Sequence, residues 1–199
     1  SPDIPFPVTR FYPLLFVLLW STGFIGARYG MPYAEPLSFL CLRYMLVILL
    51  MGGVALASRA PWPQTPRQFL HIGVTGLLVH GVYLGGVFVA ISHGLPAGIA
   101  ALVVGLQPLL TALGAGLLLG EKVRPRQWAG LVLGLAGVAL VVSNKVAGTA
   151  GTPQLTAMLT PVLLALVGIT AGTLYQKRFC PAFDLRTGSV IQFVPTLIV

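Results

Sequence analysis

Near-continuous apolar runs constrain this chain more than any other feature. They lie at 12–31, 37–57, 69–91, 97–119, 128–143 and 155–176, and a further one opens at 187. A helix needs about 20 apolar residues to cross the hydrocarbon core of a bilayer. The runs do not alternate apolar and polar residues, so a transmembrane β-barrel is excluded. Lipid offers no partner to a free backbone N–H or C=O, which makes each run helical. Charged residues form only 8% of the sequence, against roughly a quarter in soluble domains. Too few charges exist to clothe a water-facing surface. The fold class is therefore all-α, an integral membrane protein with several spans.

The connectors are short and rich in turn residues: "MPYAEP", "SRAPWPQTPR", "SHGLPAG", "GEKVRP", "NKVAGTAGTPQ" and "KRFCPAFD". Short links imply antiparallel neighbours, hence an up-down bundle. With the N-terminus placed in the cytoplasm, the inside segments hold Arg10, Arg59, Arg67, Lys122, Arg124, Arg126, Lys177, Arg178 and Arg186. The outside loops hold only Lys145. Basic residues concentrate on the cytoplasmic side of membrane proteins, so this bias predicts a multi-pass protein of the cell (inner) membrane with a cytoplasmic N-terminus. The net charge of +8 is explained by that role, and nucleic acid is not an expected partner. The first run leads to Arg28 instead of a small-residue cleavage site, so it reads as a span, not a signal peptide. Cys41 and Cys180 have neither a CxxC partner nor a histidine at metal spacing, so they read as free thiols and no metal site is expected.

The chain also repeats itself. A shift of 149 residues places Ser21 on Thr170, Gly23 on Gly172, Arg28 on Lys177, Pro32 on Pro181, Glu35 on Asp184 and Arg43 on Gln192. The order of chemical types is kept without a gap. The reading is a first five-helix unit at 12–143, a linker at 144–154, and the start of a second unit at 155–199 that stops inside its second helix. Five is odd, so the second unit enters the membrane from the opposite side. Inverted repeats of this kind are common in secondary transporters.

Two segments resemble the EamA-type members of the drug/metabolite transporter superfamily. In "LLFVLLWSTGFIGARYGMPYAEPLSFLCLRYMLVILLM" the resemblance rests on Trp20 and the small residues after it, Arg28, the Pro36-Leu37 helix start and the Arg43-Tyr44 pair. In "GLPAGIAALVVGLQPLLTALGAGLLLGEKVRPRQWAGLVLGLAGVALVV" it rests on Pro108, the Gly-Glu-Lys joint at 120–122, and Gly130, Gly134 and Gly137. The resemblance implies ten helices in two inverted units, both termini cytoplasmic, and outward transport of small metabolites such as amino acids or drug-like amphiphiles.

A polar side chain at mid-membrane is costly and marks a pathway by default. Trp20, Ser21, His80, Tyr83, Gln107 and Thr111 are the candidate substrate-binding residues, with Thr22 and Thr170 at the same depth. His80 is either a substrate contact or proton-sensitive group, or a neutral ring bonded to a neighbouring carbonyl. Tyr83, three residues on, shares its face. Pro108 removes a backbone donor, and the carbonyl it frees needs protein or water. Its alternative role is a kink that shapes packing. Trp20 either stacks on a substrate or packs in the core. Arg28 and Arg43 either snorkel or pair with Glu35, or bind a substrate carboxylate. Tyr175 reads as a belt residue, and His71 and His93 as interfacial. Glu121 is expected to brace its joint by pairing with Lys122, Arg124 or a residue such as Lys177. Gly81/Gly85 and Gly130/Gly134 are spaced for close helix packing.

The expected function is alternating-access secondary transport, as an exporter, with a small-molecule substrate and membrane lipid as partners. Homo-oligomerisation is left open. No nucleotide-binding motif and no cofactor site is read from the sequence. With no carboxylate at the midplane, proton coupling would rest on His80 or on residues beyond this sequence, and uniport or exchange stays open. A channel or structural membrane subunit is one alternative. A membrane-embedded lipid-linked group transferase is another, disfavoured because Asp3, Glu35, Glu121 and Asp184 are scattered.

Overall fold

The computed structural model describes residues 11–30, 33, 35–120, 124–146, 153–180 and 182–198. Glu121, Lys122, Pro32 and Pro181 lie outside that description, as does the side chain of Arg28, so the pairings expected of Glu121 and of Arg28 lie there too. The helices are α1 (Tyr12–Gly30), α2 (Pro36–Ala57), α3 (Pro66–Gly76), a π-helical segment (Leu77–Leu84), α4 (Gly85–Ser92), α5 (Ala97–Val104), α6 (Gln107–Leu119), α7 (Pro125–Val146), α8 (Pro153–Phe179) and α9 (Leu185–Ile198). Among the described residues, five helical spans are long and apolar enough to cross a membrane, and α1 holds a shorter apolar stretch, Leu14–Gly23.

Proline sets many helix starts. Pro36, Pro66, Pro125 and Pro153 each open a helix, where the missing N–H costs nothing and φ is already suitable. Thr65 caps α3 by accepting from the Gln68 N–H at 3.3 Å. α4 stops at Gly94, whose φ of +99° lets the Leu95 N–H return to the Ala90 carbonyl at 3.0 Å.

Two spans are irregular where the sequence predicts plain helices. The run at 97–119 divides into α5 and α6. Gly105 (φ −59°, ψ −14°) and Leu106 (φ −75°, ψ −13°) tighten the turn between them. Pro108 thus stands in the first turn of α6, not in mid-helix. The span beginning at Pro66 widens into the π segment around His80. On return to α-helical spacing, the Gly85 N–H bonds to the Gly81 carbonyl, so the register change passes over the His80 carbonyl. The Tyr44 hydroxyl donates to that carbonyl at 2.6 Å. A wide turn in the membrane is thereby satisfied from α2, as buried backbone groups require.

α8 lies at the centre, packed against α4, α6 and the π segment, while α9 packs on α2 and α3. Phe88, Val103, Val162, Ala165 and Ile169 are among the buried residues that join these helices. α1 touches α4 and α5, and α7 touches α5 and α6. Small residues allow the closest approaches. A Cβ on Gly86 would stand 2.5 Å from the Pro161 carbonyl, and one on Gly168 2.7 Å from Val82. Of the pairs expected from sequence, Gly130 and Gly134 do pack on α6 and its approach, at Leu109 and Leu106, and Gly81 meets Thr196. Gly85 faces open space. Two hydrogen bonds hold opposite ends of the bundle: Thr187 to the Pro61 carbonyl (2.9 Å), and Gln154 to the His93 carbonyl (3.3 Å).

Candidate functional site

Two cavities meet at Trp20. The larger, about 960 Å³, lies between α1, the α5–α6 turn and α8, and is lined by Trp20, Ser21, Gln107, Pro108 and Thr173 among others. The smaller, about 340 Å³, is lined by Trp20, Arg43, His80, Tyr83 and Phe88 among others. Phe16, Trp20 and Val79 line both. Trp20 is 41% exposed and forms part of both cavity walls. Its ring stacks on Tyr83 with centroids 6.4 Å apart and planes at 21°.

Gln107 is placed by the break before α6. Its side-chain amide donates to Thr111 (3.1 Å) and Thr173 (3.2 Å), tying α6 to α8. Thr111 touches Gln107 but is not among the residues lining either cavity. Pro108 cannot donate to the Val104 carbonyl four residues back, and both residues face the larger cavity. Thr22 bonds its own helix at the Leu19 carbonyl (2.6 Å). Thr170 likewise bonds the Leu166 carbonyl (2.7 Å) and lines a separate groove between α6 and α8; Thr173 is the α8 threonine that faces the cavity.

Of the two readings of His80, a ring bonded to a neighbouring carbonyl is not the arrangement found. Its Nε2 lies 3.3 Å from the Gln192 side-chain oxygen, and its ring stacks on Phe193 at 3.9 Å between centroids. An amide oxygen only accepts, so Nε2 carries the proton and Nδ1 holds the lone pair. Nδ1 is buried and lacks a hydrogen-bond partner. Of the readings open for Arg43, pairing with Glu35 is not the one found. Among the described residues it forms no ion pair with Glu35, and the one ion pair present joins Arg186 to Asp184 at 2.7 Å. Arg43 instead lines the smaller cavity.

Sequence reasoning missed Thr173, Tyr44 and Gln192 as parts of this region. Gln192 carried a signal: it is the repeat counterpart of Arg43 and the one amide side chain in "SVIQFVPTLIV". His71 and Tyr175, expected at the interface, bond each other at 2.6 Å across α3 and α8. Among the described residues, no cluster of three or more His, Cys, Asp or Glu could hold a metal.

Comparison with known proteins adds to this geometry. The chain is 30% identical over 165 residues to a protein of Escherichia coli K12 described as "Probable amino-acid metabolite efflux pump", covering 83% of this chain and 52% of that one. It is 29% identical over 174 residues to the "Uncharacterized inner membrane transporter YedA" of the same organism, covering 87% and 54%. Similarity to the "Uncharacterized transporter YvbV" of Bacillus subtilis is 30% over an aligned length of 207 residues, covering 94% and 63%. The chain spans about half the length of the first two relatives. No solved structure matches it significantly. The model of the EamA-like transporter family matches residues 10–143, well over half of the sequence. By that match the chain, an all-α bundle with several spans, belongs to the EamA-like transporter family of the drug/metabolite transporter superfamily.

Proposed function

We propose that this chain supplies the first five-helix unit and the opening of the second unit of a secondary exporter of small carboxylate-bearing amphiphiles, amino acids among them. The observation that carries this reading is Arg43, which lines the smaller cavity beside the Trp20–Tyr83 stack with no ion-pair partner among the described residues. A guanidinium pairs with a carboxylate through charge-assisted hydrogen bonds. The aromatic pair beside it suits an apolar side chain. The relative described as an amino-acid metabolite efflux pump supports the same substrate class.

The units are read as 12–143 and 155–199, joined by 144–154, and as inverted with respect to each other. In support, the 149-residue shift that aligns the sequence carries the last residue of α1, Gly30, onto the last of α8, Phe179. It also carries the first residue of α2, Pro36, onto the first of α9, Leu185. Alternating access would rock one unit against the other around the two cavities.

Arg43→Gln is expected to cut export of labelled amino acids from preloaded cells more than about tenfold, with unchanged membrane levels, since a charge-assisted hydrogen bond contributes about 1.5–3 kcal/mol. Trp20→Ala, which removes the stacked ring, is expected to cut it about fivefold, for a stacking contribution of about 1 kcal/mol. Export by both variants at the parental rate would overturn the reading. The protein is placed in the inner membrane with its N-terminus inside. Arg126→Cys, in the first turn of α7, is therefore expected to resist an impermeant thiol reagent applied outside sealed cells and to react once they are opened. Rapid labelling in sealed cells would reverse the orientation.

A further inference from the structure

At the end of the bundle where α3 starts and α8 stops, a cleft of about 350 Å³ lies apart from the two cavities above. Arg67 and Arg178 both line it, with Gln68, His71 and Phe179 beside them and no carboxylate in its wall. The acid nearest in sequence is already committed. Asp184 accepts from Arg186 at 2.7 and 3.0 Å, and these bonds hold its carboxyl down at about 2. Two guanidiniums thus face one space without a counter-charge from the described residues.

The local hydrogen bonds add a donor. Arg67 Nε donates to His71 Nε2 at 3.4 Å, so that nitrogen is unprotonated. His71 Nδ1 then carries the proton and donates to the Tyr175 oxygen at 2.6 Å. The Tyr175 hydroxyl proton is left free to donate elsewhere.

An apolar trench adjoins the cleft at the end of α8. A groove of about 730 Å³ runs between α6 and α8, walled by Leu110, Leu113, Leu118, Val167 and Leu174. Arg178 and Phe179 line both the trench and the dibasic cleft, and Tyr175 lines the trench at the same end. Apolar length leading to paired positive charge at a helix end is complementary to a lipid whose phosphate sits at headgroup depth. Basic pockets between membrane helices bind such headgroups.

We infer that the cleft and trench together bind one anionic glycerophospholipid, with its phosphate between Arg67 and Arg178 and one acyl chain along the α6–α8 trench. This inference is independent of the substrate and of the membrane orientation proposed above. A free phosphate ion would share the headgroup chemistry but leave the trench empty. A zwitterionic lipid would fill the trench but oppose the dibasic cleft with its own cation.

The test uses protein purified from membranes in neutral detergent, stripped of lipid and titrated with dioleoyl phosphatidylglycerol, with bound lipid counted by native mass spectrometry. Arg67→Gln combined with Arg178→Gln is expected to weaken binding roughly thirtyfold, about fivefold for each charge. Arg126→Gln, which removes one charge from the start of α7, is expected to bind like the parent. Val167→Trp, a change at a residue 62% exposed on the trench wall, is expected to weaken binding while leaving the guanidiniums in place. Circular dichroism and gel filtration check that each variant is folded. Equal binding by the double variant, equal binding of dioleoyl phosphatidylcholine, or full displacement by millimolar inorganic phosphate would each overturn the inference. So would parental binding by Val167→Trp, which would leave the trench to another occupant.

Discussion

Replacing His80 with leucine is expected to lower export about thirtyfold while the protein still reaches the membrane. The ring stands where the π segment meets α9, donating to Gln192 at 3.3 Å and stacking on Phe193. Leucine keeps some apolar contact with Phe193 but offers Gln192 no donor. An acceptor left unmet in apolar surroundings costs about 2 kcal/mol, equivalent to about thirtyfold in a competent population. His80→Gln preserves a donor and is expected to stay within about threefold of the parent. Gln107→Leu, which cuts the α6–α8 ties at Thr111 and Thr173, is expected to cost about tenfold. The measurement is the initial rate of export from preloaded cells, divided by the amount of protein in the membrane. A parental rate in His80→Leu would remove His80 from the mechanism.

Gly76→Val should be the most damaging single change to the fold. A Cβ at Gly76 would collide with the backbone of Gln192, which cannot swing aside as a side-chain tip can. α9 would have to move away from the start of the π segment, taking Gln192 from His80 with it. Overpacking of this kind costs about 3 kcal/mol. Gly85→Ala is the matched contrast, since Gly85 has open space around its Cα, and it is expected to be neutral or to gain about 0.5–1 kcal/mol of helix propensity. Thermal unfolding in detergent, followed by gel filtration, separates the two outcomes. Similar midpoints for Gly76→Val and the parent would show that α9 does not need this close approach.

The helical spans were legible because lipid reduces the choice of structure to one, and proline marked many of the starts. The two irregular turns were less legible. "VVGLQP" contains both glycine and proline, yet whether such a pair kinks a helix or divides it depends on what fills the turn, here a cavity. The widening around His80 has no local marker at all, because the partner of the skipped carbonyl is Tyr44, 36 residues earlier. The candidate site was legible as a set of polar residues at one depth. Depth does not give direction. Two threonines three residues apart on α8, Thr170 and Thr173, open onto different cavities, and only packing decides which. For Arg43, distance from the span centre leaves snorkelling, pairing with Glu35 and substrate binding all open. Distance says nothing of Trp20 and Tyr83, whose stacked rings share its cavity wall.

The wide turn at Leu77–Leu84 also bears on how the length of this protein can vary. A π turn holds one residue more than the α-helical path it replaces, and flanking α-helix resumes on either side. Losing one residue inside it would restore ordinary spacing with little rotation between the flanks, whereas a deletion in plain helix turns everything beyond it by about 100°. A one-residue gap between relatives at this segment would therefore leave Thr75 and Phe88 facing the same neighbours.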